Sequence, residues 1–170
     1  MTAISKIQYF LFIGLAVILY SCQKEDKYPV IPTLEYVNFL KISDGLGIDN
    51  YGKLILSFKD GDGDIGLESG DTFPPFDKSS EYYYNFFIKY FEMQKGVLKE
   101  IVLPISFNSR IPLVTPTGRN KSISGEIELE MVFNNPFSNY DTILFESYIV
   151  DRALNHSNSV RTPYIIVKKH

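Results

Sequence analysis

An alternation of period two runs through most of this chain and restricts it to strands. From Lys53 to Lys59, Leu54, Leu56 and Phe58 fall on one side and Lys53, Ser57 and Lys59 on the other, the pattern of a strand with one face in a core and one in water. Ile127, Leu129, Met131 and Phe133 alternate in the same way with Glu126, Glu128 and Glu130, and Thr142–Val150 puts Ile143, Phe145 and Ile149 on one face. A long strand is expected over 82–91, with Tyr82, Tyr84, Phe86, Ile88 and Tyr90 as its core face. Tyr83, Asn85, Phe87, Lys89 and Phe91 lie opposite. There, Tyr83, Phe87 and Phe91 read either as rings packed under a neighbouring segment or as a stacking platform for sugars. Leu34–Ile42 is rich in strand formers but alternates imperfectly. Gln94-Lys95-Gly96 predicts a hairpin turn into Val97–Leu103, and Val160–Lys168 carries Pro163, which confines it to a sheet edge. Roughly seven strands without helical periodicity predict an all-β fold, an antiparallel β-sandwich, with a barrel as the alternative. Lacking a Cys…Trp…Cys arrangement, it is expected to lie nearer the fibronectin-III or cadherin-like relatives of the immunoglobulin domain than the true immunoglobulin type. At 170 residues and 45% hydrophobic content the chain fits one domain with a real core, placed at 34–170.

The strand ending at Lys59 runs straight into Asp60-Gly61-Asp62-Gly63-Asp64-Ile65-Gly66-Leu67. Glu68 and Asp71 follow, and no Lys or Arg lies within the run. Hard oxygen ligands on alternate residues, with glycines that let the backbone curl, suit a cation that takes six to eight oxygens, namely calcium. The order resembles the first half of an EF-hand loop. Ile65 stands where that loop needs its turn glycine, however, and Asp71 where it needs a bidentate Glu, so a calcium loop on a β scaffold is expected instead. Asp-Gly repeats also form plain turns between strands, and that reading stands beside the metal one. If the loops after 53–59 and 142–150 leave the same end of a sandwich, Asp151 joins Asp60, Asp62 and Asp64, with Asn155, Glu68 and Asp71 as secondary candidates. Glu126, Glu128 and Glu130 are read as a solvated strand face.

Near the N-terminus, Lys6 precedes the apolar run 7–20, which is too short to span a bilayer comfortably but suits a signal-peptide core. Leu19-Tyr20-Ser21-Cys22 resembles the lipobox of bacterial lipoproteins. That resemblance implies cleavage after residue 21, diacylglycerol and fatty acyl groups on Cys22, and a stable lipid anchor. Gln23-Lys24-Glu25-Asp26 resembles the surface-export signal of Bacteroidota lipoproteins, so the expected location is the outer membrane, facing outward. Residues 22–33, with Pro29 and Pro32, read as the lipidated cysteine and an extended tether. The loop Phe58–Leu67 and the stretch Asp151–Asn158 followed by Thr162-Pro163 are together similar to a family of uncharacterised Bacteroidota lipoproteins. The family brings no substrate or catalytic residue.

Cys22 is the only cysteine, which excludes a disulfide framework and a cysteine zinc site. His156 and His170 are the only histidines, no Gly-x-Ser-x-Gly elbow is present, and a net charge of −3 without a basic block argues against nucleic acid. His156 is read as a loop histidine in solvent. A non-enzymatic role is expected: a binding or adhesion module, or a subunit of an envelope complex with other envelope proteins as partners. The alternative is an accessory glycan-binding lipoprotein of an uptake or secretion system.

Overall fold

The computed structural model describes residues 27–114, 116 and 121–169. The signal-peptide, lipobox and Cys22 expectations therefore lie outside the described residues. Among the described residues eight strands run in order: β1 (Thr33–Ile42), β2 (Tyr51–Asp60), β3 (Phe86–Gln94), β4 (Val97–Glu100), β5 (Ile123–Val132), β6 (Thr142–Ile149), β7 (Val160–Arg161) and β8 (Ile165–Ile166). They form two antiparallel sheets, β1-β2-β5 and β4-β3-β6-β7, with β8 also paired to β6. The fold is all-β and sandwich-like. Its inward faces meet in one core that joins Leu54, Leu56 and Met131 of the first sheet to Phe86, Tyr90 and Phe145 of the second. Among the described residues this core is drawn from the stretch between Leu34 and Val167.

The imperfect alternation of β1 has a local cause. Its register to β2 slips between Tyr36 and Asn38, so Val37 is an extra residue in the strand. A bulge of this kind changes which parity faces inward. Before it Leu34 is buried, and after it Phe39 turns inward and packs on Phe133 and Phe145. The expected hairpin is present: Gln94 pairs with Val97 across Lys95 and Gly96, whose φ angles of 52° and 79° are those of a two-residue primed turn. Its second strand stops at Glu100, short of the expected Leu103.

Two expectations are corrected. Residues 82–91 are not one strand. Glu81–Tyr83 form a single 3-10 turn capped by Ser80, whose hydroxyl accepts from the Tyr82 amide at 3.0 Å, and the ladder begins at Phe86. The Asn85 side chain takes the amide of Ile111 at 2.6 Å and gives to its carbonyl at 3.3 Å, tying the chain to another segment just before pairing starts. Phe86, Ile88 and Tyr90 are core as expected, while Tyr82 and Tyr84 are only half-buried. The last strand is split into β7 and β8 around Thr162-Pro163-Tyr164, because proline has no amide to give to the ladder.

Candidate metal centre

The acidic run is not a hairpin turn. β2 pairs with β1 and β5, and after Asp60 the chain leaves the first sheet and does not reach the second until Phe86. What holds the run in place is apolar: Ile65 and Leu67 are buried in or beside the core, and Leu67 donates to the Ile111 carbonyl at 2.9 Å. Two of its glycines combine close approach with a left-handed backbone. A Cβ on Gly63 would meet the Lys121 carbonyl at 2.2 Å and one on Gly66 the Pro112 carbonyl at 2.2 Å, and both positions have positive φ, 68° and 102°. The Gly-Asp alternation thus lets the loop press against two other segments while its carboxylates gather.

Asp60, Asp62 and Asp64 each bring an oxygen within 4.8 Å of the others. Asp60 is fully buried, Asp64 half-buried and Asp62 exposed, so the cluster opens to solvent on the Asp62 side. Asp60 Oδ2 accepts from the Asp64 amide at 3.0 Å and Asp64 Oδ2 from the Ala153 amide at 3.1 Å. Their other oxygens have nothing: among the described residues, Asp60 Oδ1 and Asp64 Oδ1 are the buried side-chain polar atoms left without a hydrogen bond. Burial, reinforced by the charges of Asp62, Asp64 and Asp151, pushes Asp60 up to about 6. Burial and the charges of Asp151 and Asp62 do the same to Asp64, also to about 6.

The loop after β6 does reach this site. The Arg152 amide donates to the Asp64 carbonyl at 3.3 Å, and Asp151 is buried close enough to act on both raised carboxyls. Its own oxygens accept from the Asn155 amide at 2.7 Å and side-chain Nδ2 at 2.9 Å. Asn155 therefore faces Asp151 as a donor and positions it. Asp71 lies elsewhere, ion-paired to Arg152 and accepting from the Glu68 amide at 2.7 Å; the hydrogen bond from Arg152 holds its carboxyl below the usual range. Glu68 is exposed and contributes its backbone, with its carbonyl accepting from Arg110 at 3.1 Å.

Sequence reasoning missed the two arginines that order this region. Arg110 donates to the carbonyls of Tyr83, Asp71 and Glu68 and lies 5.0 Å over the Tyr83 ring. Arg152 meets an aspartate 81 residues away, and no spacing rule signals such a pair. Glu92, also missed, is a buried carboxylate of the opposite kind. Burial would raise its pKa, but hydrogen bonds from Gln94, Ser138, Asn135 and Tyr90 outweigh it and hold the group below its ordinary value. Every need of Glu92 is met within the chain. Those of Asp60 and Asp64 are not.

The rings of β3 are packed. Phe87 stacks on Tyr148 at 4.9 Å, Tyr148 on His156 at 5.6 Å, and Arg161 covers Phe91. Tyr83 lies beneath Arg110, so each of these rings has a face against another side chain. His156 is exposed as expected, but its ring is part of this row. Glu126, Glu128 and Glu130 are exposed on the outer face of β5, with Lys53 reaching Glu128 at 2.8 Å and Glu130 at 3.4 Å. Compared with known proteins, the chain matches no family model and is significantly similar to no curated protein or solved structure.

Proposed function

We propose that this chain is a lipid-anchored, non-catalytic binding module of the bacterial outer membrane, a fibronectin-III-like sandwich tied at one end by calcium. The calcium part rests on one observation: two buried carboxylate oxygens, Asp60 Oδ1 and Asp64 Oδ1, point at no donor. An unmet buried acceptor costs about 1–3 kcal/mol, more when charged, and a cation removes that cost for both atoms at once. Asp60, Asp62 and Asp64 would hold the ion, with Asp151 beside them, and all offer the hard oxygen that calcium prefers. The backbone of 151–153 is already bonded to Asp64, so the ion would lock the loop after β2 to the loop after β6. The anchor and the outward-facing location rest on the lipobox-like residues ending at Cys22 and on the charged stretch behind it.

The test is a melting experiment on residues 23–170. Calcium at a hundredfold excess over its dissociation constant should add about 2.7 kcal/mol to the folded state, and magnesium less, because it demands a tighter octahedral shell. Asp62→Ala, at the exposed member of the cluster, should keep the fold and lose the response. A melting temperature indifferent to calcium and to chelator would leave 60–67 as a loop built of aspartate and glycine.

A further inference from the structure

The sandwich is closed along one side and open along the other. On the closed side the Asn158 side chain clasps the edge of β1, giving to the Leu34 carbonyl at 2.9 Å and accepting from its amide at 2.9 Å. Lys41 reaches across to the Ile166 carbonyl. On the open side β5 is paired with β2 along its whole length, Ile123 to Val132, and among the described residues no strand pairs with its other edge. In an antiparallel ladder every second residue directs its N–H and C=O away from its partner, so this edge presents a row of free backbone groups. It contains no proline and keeps unbroken register for ten residues.

Beside that edge is a groove of about 550 Å³, bounded on its far wall by the segment 103–109 that follows β4. That segment cannot swing in to fill it, because Ser109 exchanges backbone hydrogen bonds with Phe86 and the Asn108 side chain accepts from the Ile88 amide at 2.9 Å. Phe107, Met131 and Phe133 line the groove as part of, or packed against, the core. Ile105 (83% exposed) and Phe137 (88% exposed) stand at its rim. Leu129 and Met131, at the C-terminal end of β5, thus border an apolar slot, while Glu126, Glu128 and Glu130 face outward, the last two sharing Lys53.

We propose that β5 accepts an extended segment of a partner protein as an added strand. The segment alternates apolar residues, which enter the groove, with lysine or arginine, which lie against the three glutamates. Backbone pairing supplies affinity and the alternate side chains supply specificity in this mode of recognition. Charge chooses the partner. A second copy docking through its own β5 would set glutamates against glutamates, and like charges across a ladder are destabilising. An apolar ligand would fill the groove but leave both the backbone row and the acids without partners. This proposal names the partner class of the binding module inferred above and rests on that reading; the calcium response is measured without any peptide, so the two fail separately.

The probe is a fluorescent peptide of about ten residues alternating valine and lysine, matched to the usual strand length, titrated into residues 23–170 with calcium present. Saturable binding should weaken about tenfold or more in Glu126→Lys/Glu130→Lys and in Ile105→Asp, all at exposed positions. Bound peptide should also slow hydrogen exchange of amides within 123–132. Binding of a valine–glutamate peptide with equal strength would overturn the proposal, as would binding that protects no β5 amide, or no binding at all. Two other results would replace the occupant: self-association lost in Ile105→Asp assigns the groove to a second copy, and uptake of palmitate without peptide binding assigns it to an apolar ligand.

Discussion

Three buried or half-buried carboxylates divide this protein's chemistry. Glu92 has four donor side chains around it and stays easily ionised, whereas Asp60 and Asp64 each lack a partner for one oxygen and resist ionisation. The sign of their pH dependence follows. Their folded pKa values, near 6, exceed the ordinary 3.8, so the metal-free fold takes up protons in that window and loses stability as pH rises through it, levelling off above about 6. Calcium needs both groups ionised, so its stabilisation should grow across the same window. Melting temperatures with calcium and with chelator should differ little at about pH 4.5 and fully at about pH 7; a gap independent of pH would mean that calcium acts elsewhere. Asp60→Asn should stabilise the chelator-treated fold at neutral pH by on the order of 1–3 kcal/mol, seen as a higher melting temperature, because it removes the repelled charge and keeps an acceptor for the Asp64 amide. The same variant should abolish the calcium response.

At the level of elements, β3 and its lead-in set the limits of pattern reading. Phe86 is 1% exposed and inward, while Tyr84 belongs to the segment before the ladder and is only half-buried. Phe86→Ala should therefore cost about 3–5 kcal/mol, the usual range for emptying an aromatic core site. Tyr84→Ala should cost distinctly less, and denaturant melts of the two variants decide the point. Equal losses would mean that the strand extends back through Tyr84. The loop after β2 is an element in its own right: Ile65 and Leu67 plug it into the core, and Gly66 lets it lie against Pro112. Gly66→Ala should destabilise by more than the roughly 1–3 kcal/mol of a strained left-handed residue, since the Pro112 backbone must also move. A variant that melts within about 0.5 kcal/mol of the parent would show that this contact yields easily.

For the whole molecule, the core uses residues from Leu34 to Val167 and none of the described residues forms a helix long and apolar enough to cross a membrane. Attachment through Cys22 would leave such a body free to face its surroundings on a tether. Cys22→Ala should yield an unacylated precursor, seen as loss of incorporated labelled palmitate. Undiminished labelling in that variant would place the lipid elsewhere. Protease added to intact cells should degrade the wild-type protein if it faces outward; resistance until lysis would put it on the inner leaflet.

Strand class and most strand positions were written in the alternation itself, because a residue's side of a sheet depends only on parity with its neighbours. That was enough for β2, β5 and β6, for the Lys95-Gly96 turn, and for suspecting that the chain gathers carboxylates at Asp60–Asp64. Parity failed wherever the chain added a residue, as at Val37 in β1, or spent an apolar-rich stretch on a capped turn, as at 81–83. Pairings between distant residues carry no local signature. Arg152 on Asp71, Arg110 on three carbonyls and the Asn135 and Ser138 donors to Glu92 depend on which distant segments the fold brings together. The same holds for the one property that points to an ion. Composition shows acids close together in sequence, but only the packed structure decides which oxygens are buried, and it leaves two of them without a donor.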